Sequence, residues 1–278
     1  MDDRWGKSLL RIDGTDGRVV ARIPVDGRVA LSAGGGAVWA LQSGGGYGRE
    51  LRGPLLRIDP VANRVAARIP LRTPAGEPVV GFGVLADDAD VWVWGPLAVL
   101  RIDPRANRVV QAFAVAPSGR ELTGAALAGR HVLASTTDGR VMRFDGPTGG
   151  TVAPAPVLDT GAQLEAATER RLILTGHGSV LAMDSGTGKV VWRQRLGFRI
   201  GEVLARGRVL LMHGGALGDA GDRLWAIDAA RGRVVRSLVL PAFGTRDMAM
   251  VEGALWIACA GGTVVVIPPW LLRRLQAE

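Results

Sequence analysis

The chain has 278 residues, 47% of them hydrophobic, with 40 glycines, 15 prolines and a single cysteine. A chain this apolar is not intrinsically disordered, and one cysteine rules out an internal disulfide. The net charge is +8, but no basic run with interleaved aromatic residues accompanies it, so we expect no nucleic-acid binding. No apolar run reaches the length of a membrane helix, so we also expect no membrane span.

A short apolar block recurs six times along the chain, and a seventh, degenerate copy follows it. The six blocks end in aspartate, at Asp13, Asp59, Asp103, Asp145, Asp184 and Asp228, and the last copy ends at Pro268. Successive copies end 39 to 46 residues apart. This period is typical of the blades of a β-propeller.

Each of the six aspartates begins a turn of constant length, and the fifth residue of that turn is always asparagine or glycine. These two residue types best tolerate a left-handed backbone, and an aspartate side chain accepts N–H bonds within its own turn. We therefore interpret the aspartates as hairpin formers and not as catalytic acids. A partly alternating strand follows every turn, as at residues 64–71 and 189–196, which is typical of a half-exposed outer strand.

Two further apolar strands precede each later copy, separated by short glycine-containing turns. The sequence thus predicts an all-β fold, a β-propeller of four-stranded antiparallel blades with strands A to D counted outward from the axis. We favour six blades, or seven if the first blade is truncated. Residues 1–278 then form a single domain whose ring is closed by strands near residues 9–24, which complete the three-stranded set at 247–267. Residues 268–278 are expected to form a short helical tail.

Two stretches resemble known propeller repeats. Asp103–Val110 and Gly34–Trp39 resemble the repeat of the YVTN-type propeller family, and Ala182–Trp192 resembles the repeat of pyrroloquinoline-quinone-type propellers. The resemblance implies the fold and not a function. The cofactor and calcium residues of the quinoprotein enzymes are not found in the sequence, so we assign no cofactor.

The loops predict where a binding site lies. The B–C and D–A loops emerge on the same face of a propeller, and the longest of them span residues 42–54, 72–78 and 213–223. Alignment of the A strands places two carboxylates at one position in adjacent blades, and nearby loops add further polar groups. The candidate ligand-binding residues are Glu165, Glu202, Arg199, His213, Arg246, Asp247 and Tyr47.

Two interpretations of this set remain open: a polar-ligand or cation site at one mouth of the channel, or a solvated rim with local ion pairs. The three histidines lie singly in three blades, without the spacing of metal ligands, so we assign no metal site and no catalytic residue.

The sequence favours a non-catalytic β-propeller module, either ligand-sensing or protein-interacting, alone or within a larger sensor or receptor. We expect a monomer that binds an unidentified small ligand or protein. The alternative is a small lyase or cyclase, because the repeats also resemble those of virginiamycin-type lyases, which require closely placed histidine and glutamate in late blades. The last blade here has no histidine, and its only glutamate, Glu252, lies in an A–B turn.

The compartment is open as well. The first residues, Met1–Lys7, lack the apolar core of a signal peptide. We therefore expect an extracytoplasmic location if the chain is excised from a larger exported protein, and a cytoplasmic one otherwise.

Overall fold

The computed structural model describes residues 8–13, 18–27, 29–42, 52–115, 121–129, 131–145, 151–155, 162–168, 170–176, 178–196, 199–206, 208–215, 222–241, 247–251, 253–258 and 264–276. They form 25 strands, followed by one helix. The contacts divide the chain into two compact units. The first comprises Met1–Thr137 and Met142–Ala153, and the second comprises Asp138–Val141 and Pro154–Glu278.

Sheets 1 to 4 contain the first fourteen strands. Sheet 1 is the hairpin β1 (Ser8–Ile12) and β2 (Val19–Pro24). Sheet 2 contains β3 (Val29–Gly34), β4 (Ala37–Gln42), β5 (Leu55–Asp59) and β6 (Arg64–Ile69). Sheet 3 contains β7 (Gly83–Ala86), β8 (Val91–Trp94), β9 (Ala98–Asp103) and β10 (Arg108–Ala114). Sheet 4 contains β11 (Leu122–Ala128), β12 (His131–Thr136), β13 (Val141–Asp145) and β14 (Thr151–Ala155).

Sheets 5 to 7 and the helix follow. Sheet 5 contains β15 (Gln163–Ala167), β16 (Arg171–Gly176), β17 (Ser179–Asp184) and β18 (Val190–Arg195). Sheet 6 contains β19 (Arg199–Arg206), β20 (Val209–Gly215), β21 (Arg223–Asp228) and β22 (Val234–Val239). Sheet 7 contains β23 (Asp247–Val251), β24 (Ala254–Ala258) and β25 (Val264–Ile267), and α1 spans Pro269–Gln276.

Within each sheet the strands pair in chain order, so every four-stranded sheet is a meander. This confirms the predicted four-stranded antiparallel unit. Strand β2 pairs with β1, and sheet 7 has three described strands. The number of blades, the single domain and the closure of a ring near residues 9–24 stay predictions.

Burial follows the position of a strand in its sheet. The second strands, β4, β8, β12, β16 and β20, are buried along almost their whole length, whereas the fourth strands β6 and β10 alternate between exposed and half-buried positions. A strand packed on both faces must be apolar throughout, while a strand with one wet face alternates. The apolar runs of the sequence therefore belong to strands that are buried on both faces, and the alternating runs belong to outer strands with one exposed face, as we expected.

The turns between the third and fourth strands confirm the predicted role of the aspartates. The Asp59 carboxylate accepts the N–H groups of Val61 and Ala62 at 2.8 and 3.0 Å. Asp103, Asp184 and Asp228 make the same pair of bonds. The fifth residue has a positive φ at all four of these described turns, at Asn63, Asn107, Gly188 and Gly232.

Side chains from one sheet also bind the turn of the next sheet along the chain. Arg57 donates to the carbonyl oxygen of Pro104 at 3.0 Å and to the side chain of Asn107 at 3.2 Å. Arg11, at the matching position of sheet 1, binds Pro60 and Asn63 in the same way. We call these contacts arginine latches.

In the second unit a tryptophan has the same role. Ala182 occupies the position that arginine holds in sheets 1 and 2, and its cross-strand neighbour is Trp192. The Trp192 indole N–H donates to the carbonyl oxygen of Ala229 at 2.9 Å, and its ring lies so close to Gly232 that a Cβ there would overlap it. We call this contact the tryptophan latch.

The tail forms the expected short helix. Proline at its first position lacks an N–H that would otherwise need a partner, and the carbonyl of Pro268 accepts N–H groups from the first turn. Leu272 and Leu275 are buried among residues of sheets 6 and 7, while Trp270 is 55% exposed beneath the guanidinium of Arg274.

Candidate functional site

The two glutamates that the sequence singled out both lie at irregularities of a first strand. The register of β15 shifts between Leu164 and Ala166, and that of β19 shifts between Ile200 and Val203. Such a bulge leaves a residue outside the regular ladder and can re-aim its side chain. Glu165 and Glu202 therefore occupy comparable, half-buried positions in the second unit.

Glu202 links two neighbouring first strands. Its carboxylate Oε2 accepts the backbone N–H of Met248, in β23, at 2.5 Å. Its own backbone N–H donates to Nε2 of His213 at 3.1 Å. The carboxylate therefore supports the packing of β19 against β23, which is a structural use of the charge.

His213 is buried, with 2% of its surface exposed. Because its Nε2 accepts a hydrogen bond, the neutral ring carries its proton on Nδ1. The ring lies directly against Gly201, where an added Cβ would overlap it. Local packing thus fixes the orientation of the imidazole and occupies the lone pair that a general base would need.

Glu165 accepts the hydroxyl hydrogen of Thr175 at 2.8 Å, across the first two strands of sheet 5. Thr175 is itself 7% exposed. Both glutamates thus lie at a first-strand bulge and contact the second strand of the same sheet, Glu165 through its carboxylate and Glu202 through its backbone N–H.

The other predicted residues are placed only in part. The backbone of Arg199 pairs with Gly215, and that of Asp247 pairs with Ala258, at the start of β19 and β23. Arg246 and Tyr47 lie outside the described residues. Whether these side chains join the two glutamates in one ligand site stays a prediction.

Sequence reasoning missed a second polar cluster, in the first unit. Arg143 contacts His131 Nε2, and Asp145 lies 3.8 Å from His131 Nδ1. Arg143 occupies the same position of the repeat as Arg11 and Arg57 in earlier sheets. The repeat alignment therefore contained a signal that a strand residue, and not a loop residue, would contact His131.

Sequence reasoning also missed a cavity of about 400 Å³ beside sheet 2, although it lies where two of the predicted long loops meet the sheet. Backbone bonds between Gln42 and Gly53, and between Gln42 and Pro54, close the base of the B–C loop. The D–A loop turns back through the bridge between Arg72 and Pro78. The cavity is lined by Arg52, Gly53, Pro54, Arg68, Pro70, Leu71, Arg72, Pro78, Val79 and Val80.

The residues that line this cavity, which we call the arginine cavity, combine positive charge with apolar surface. Three of its lining residues are arginines, and none of the lining residues that the structure describes is acidic. The remaining walls are mainly proline, leucine and valine side chains. An apolar cavity with a few converging polar groups is the usual form of a small-ligand site.

Among the described residues, no three His, Cys, Asp or Glu side chains come together as a metal site would require. No described helix is long and apolar enough to cross a membrane. Glu202 and His213 do lie together, but their hydrogen bonds hold the strands in place.

Comparison with known proteins bears on the fold. Residues 137–269 match the family model for a PQQ-like repeat described as outer membrane protein assembly factor BamB. A search of curated proteins gives no significant match.

Two solved structures are similar over most of the chain. The computationally designed protein Ika8 has a TM-score of 0.61 and 13% identity, with 90% of this chain and 74% of that one covered. BamB from Moraxella catarrhalis has a TM-score of 0.58 and 16% identity, with 94% of this chain and 78% of that one covered.

At sequence identities this low, the structural similarity supports the fold and no more. It agrees with the meanders and with the repeat that the sequence indicated. Residues 137–269 therefore match a PQQ-like repeat, and the chain has a β-propeller fold of four-stranded antiparallel blades.

Proposed function

We propose that this chain is a non-catalytic binding module that recognises its partner with the face bearing the B–C and D–A loops. The BamB-like propeller fold points to a binding or interaction module, and the matched family is described as an assembly factor, a protein that works with other proteins. From that description we carry over only the binding role.

The observation that carries the proposal is the arginine cavity, where the B–C and D–A loops of sheet 2 meet. Both loops are fixed at their bases by backbone hydrogen bonds, from Gly53 to Gln42 and from Val79 to Leu71. A loop site on a rigid sheet loses little conformational entropy when it binds, which favours recognition.

The inner-strand glutamates support a non-catalytic role. Glu202 accepts a backbone N–H of the next sheet, and His213 accepts the N–H of Glu202. A lyase or cyclase would need this pair to exchange protons with a substrate, and breaking those bonds would cost packing. If Glu202→Gln abolished turnover of a lactone or ester by the purified chain, the enzyme alternative would replace our proposal.

Photo-crosslinking tests the binding face. A photoreactive phenylalanine analogue at Ala75, at the exposed tip of the D–A loop, is expected to capture one discrete partner in an extract of the source cells, identified by mass spectrometry. The matched control carries the same group at Val61, which is 86% exposed in the turn at the opposite end of the same sheet. Capture from position 61 alone, or from neither position, would contradict the proposal.

A further inference from the structure

Three arginines line the arginine cavity, from two segments of the chain, residues 52–54 and 68–80. Arg68 is exposed near the end of β6, Arg72 begins the D–A loop, and Arg52 stands at the base of the B–C loop. None of the described lining residues is acidic, so the positive charges of Arg68 and Arg72 attract an anion that enters the cavity.

The geometry of the D–A loop holds one of these arginines in place. The Arg72 guanidinium donates to the carbonyl oxygen of Gly76 at 2.8 Å, and Arg72 forms the isolated bridge with Pro78. A tethered arginine retains further N–H donors for a ligand, because the guanidinium carries five. Its orientation is set before the ligand arrives, which lowers the entropic cost of binding.

Backbone hydrogen-bond donors are scarce in six of the ten lining residues. Pro54, Pro70 and Pro78 have no N–H, and the N–H groups of Gly53, Arg72 and Val79 donate to backbone carbonyls. Phosphate sites commonly use several converging backbone N–H groups, which these six residues do not offer. Planar guanidinium groups match the oxygens of a carboxylate and of a phosphate alike, so the choice between these anions depends on the scarcity of backbone donors and on the walls of the cavity.

The walls of the cavity add a second requirement. Leu71, Val79, Val80 and the three prolines present apolar surface beside the arginines. A ligand that fills about 400 Å³ must therefore bring apolar groups as well as charge. From these observations, and resting on the proposed function, we propose that the arginine cavity binds a carboxylate carried by a compact apolar group, such as the end of a polypeptide whose last residue is apolar.

Calorimetric titration of the whole chain tests this proposal. The probes are N-acetyl-leucine, its amide, a five-residue peptide that ends in leucine with a free carboxylate, and inorganic phosphate. We expect both free acids to bind and the amide to bind at least about tenfold more weakly, because it lacks the charge that strengthens hydrogen bonds to arginine. A tighter peptide identifies a polypeptide end as the natural ligand, and equal affinities identify a small free acid.

Arg68→Gln is expected to weaken binding of N-acetyl-leucine about tenfold. Arg64→Gln is the matched control, because Arg64 is exposed on the same strand but does not line the cavity. It should leave the affinity unchanged. Thermal unfolding of both variants shows whether either substitution disturbs the fold.

Three results would overturn the carboxylate inference. They are equal binding of acid and amide, tighter binding of phosphate than of N-acetyl-leucine, and no binding of N-acetyl-leucine at about 10 mM, ten times the dissociation constant of a weak ligand. None of these results affects the crosslinking comparison between positions 75 and 61. The failure of this inference is therefore distinguishable from the failure of the proposed function.

Discussion

At the scale of single residues, most acidic side chains of the repeat have structural roles. The pKa of Asp59 lies below its usual range, chiefly because the N–H of Ala62 and then that of Val61 donate to the carboxylate. The same cause holds the pKa of Asp103 and that of Asp184 low. These assignments were readable from the sequence, because a turn is decided by residues a few positions apart.

The lowered pKa has a consequence for stability. A carboxyl whose pKa is lower in the folded state stabilises the fold above its unfolded pKa, near 3.9, and this contribution is lost as the pH falls through the folded-state pKa. We expect Asp59→Asn to be less stable than the wild type at pH 7, and the difference to shrink as the pH falls from about 4 to 2. Urea unfolding across this range measures it.

Asp59→Ala serves as the control for that experiment. It removes the acceptor as well as the charge, so its free energy of unfolding should lie below that of Asp59→Asn at every pH. A wild-type advantage over Asp59→Asn that stayed constant down to pH 2 would show that the charge of this carboxylate does not support the turn.

Gly201 offers a test of the packing around His213. A Cβ at Gly201 would overlap the imidazole ring, so Gly201→Ala should destabilise the chain by about 1–3 kcal/mol, as overpacking does. Gly186→Ala is the matched control: the atom nearest to a Cβ added there is Asp184 Oδ1, at 3.6 Å, so this substitution should change the stability by less than about 0.5 kcal/mol. Chemical denaturation measures both, and equal effects would refute the close packing.

At the scale of secondary-structure elements, the sheets were predictable and their mutual contacts were not. Periodic apolar runs and constant turns specify a strand locally. The latches depend on which carbonyl of the next turn comes within reach of Arg57 or Trp192, and no sequence pattern encodes that distance. The partner of Glu202 was hidden for the same reason, because it is the backbone N–H of Met248 and not a side chain.

The tryptophan latch can be separated into its hydrogen bond and its packing. Trp192→Phe keeps an aromatic ring but loses the N–H that binds Ala229, so we expect a loss of about 1 kcal/mol in the free energy of unfolding. Trp192→Ala removes a side chain that is 9% exposed and should cost about 3–5 kcal/mol.

Trp270→Phe provides the comparison for this pair. Trp270 is 55% exposed, so the same chemical change there should shift the stability by less than about 0.5 kcal/mol. Guanidinium chloride unfolding measures all three variants. If Trp192→Phe were as stable as the wild type, the bond to Ala229 would contribute nothing to stability.

At the scale of the whole molecule, the repeat was evident in the sequence and the location of the cavity was not. The sequence predicted that the B–C and D–A loops would carry the binding residues, and the arginine cavity lies between two of these loops. The sequence alone did not indicate whether the loops of sheet 2 or the glutamates of sheets 5 and 6 were the better candidate for a binding site. Arg68 looks like an ordinary outer-strand arginine until the loops around it are in place.

The net charge of +8 leads to a prediction about assembly. Copies of a strongly basic chain repel one another at low ionic strength, so we expect the purified chain to be a monomer. Light scattering should give a mass near 29.2 kDa across a range of protein concentrations. A mass that doubled with concentration would contradict this expectation.

The latches also bear on how such a chain changes over evolutionary time. In each latch a side chain of one sheet donates a hydrogen bond to a main-chain carbonyl in the turn of the next sheet, at Pro60, Pro104 or Ala229. A main-chain acceptor is present whatever amino acid occupies that position. A duplicated repeat would therefore meet a compatible acceptor at once. A change from arginine to tryptophan also needs glycine at the fifth position of the partner turn, because the Trp192 ring would overlap a Cβ at Gly232.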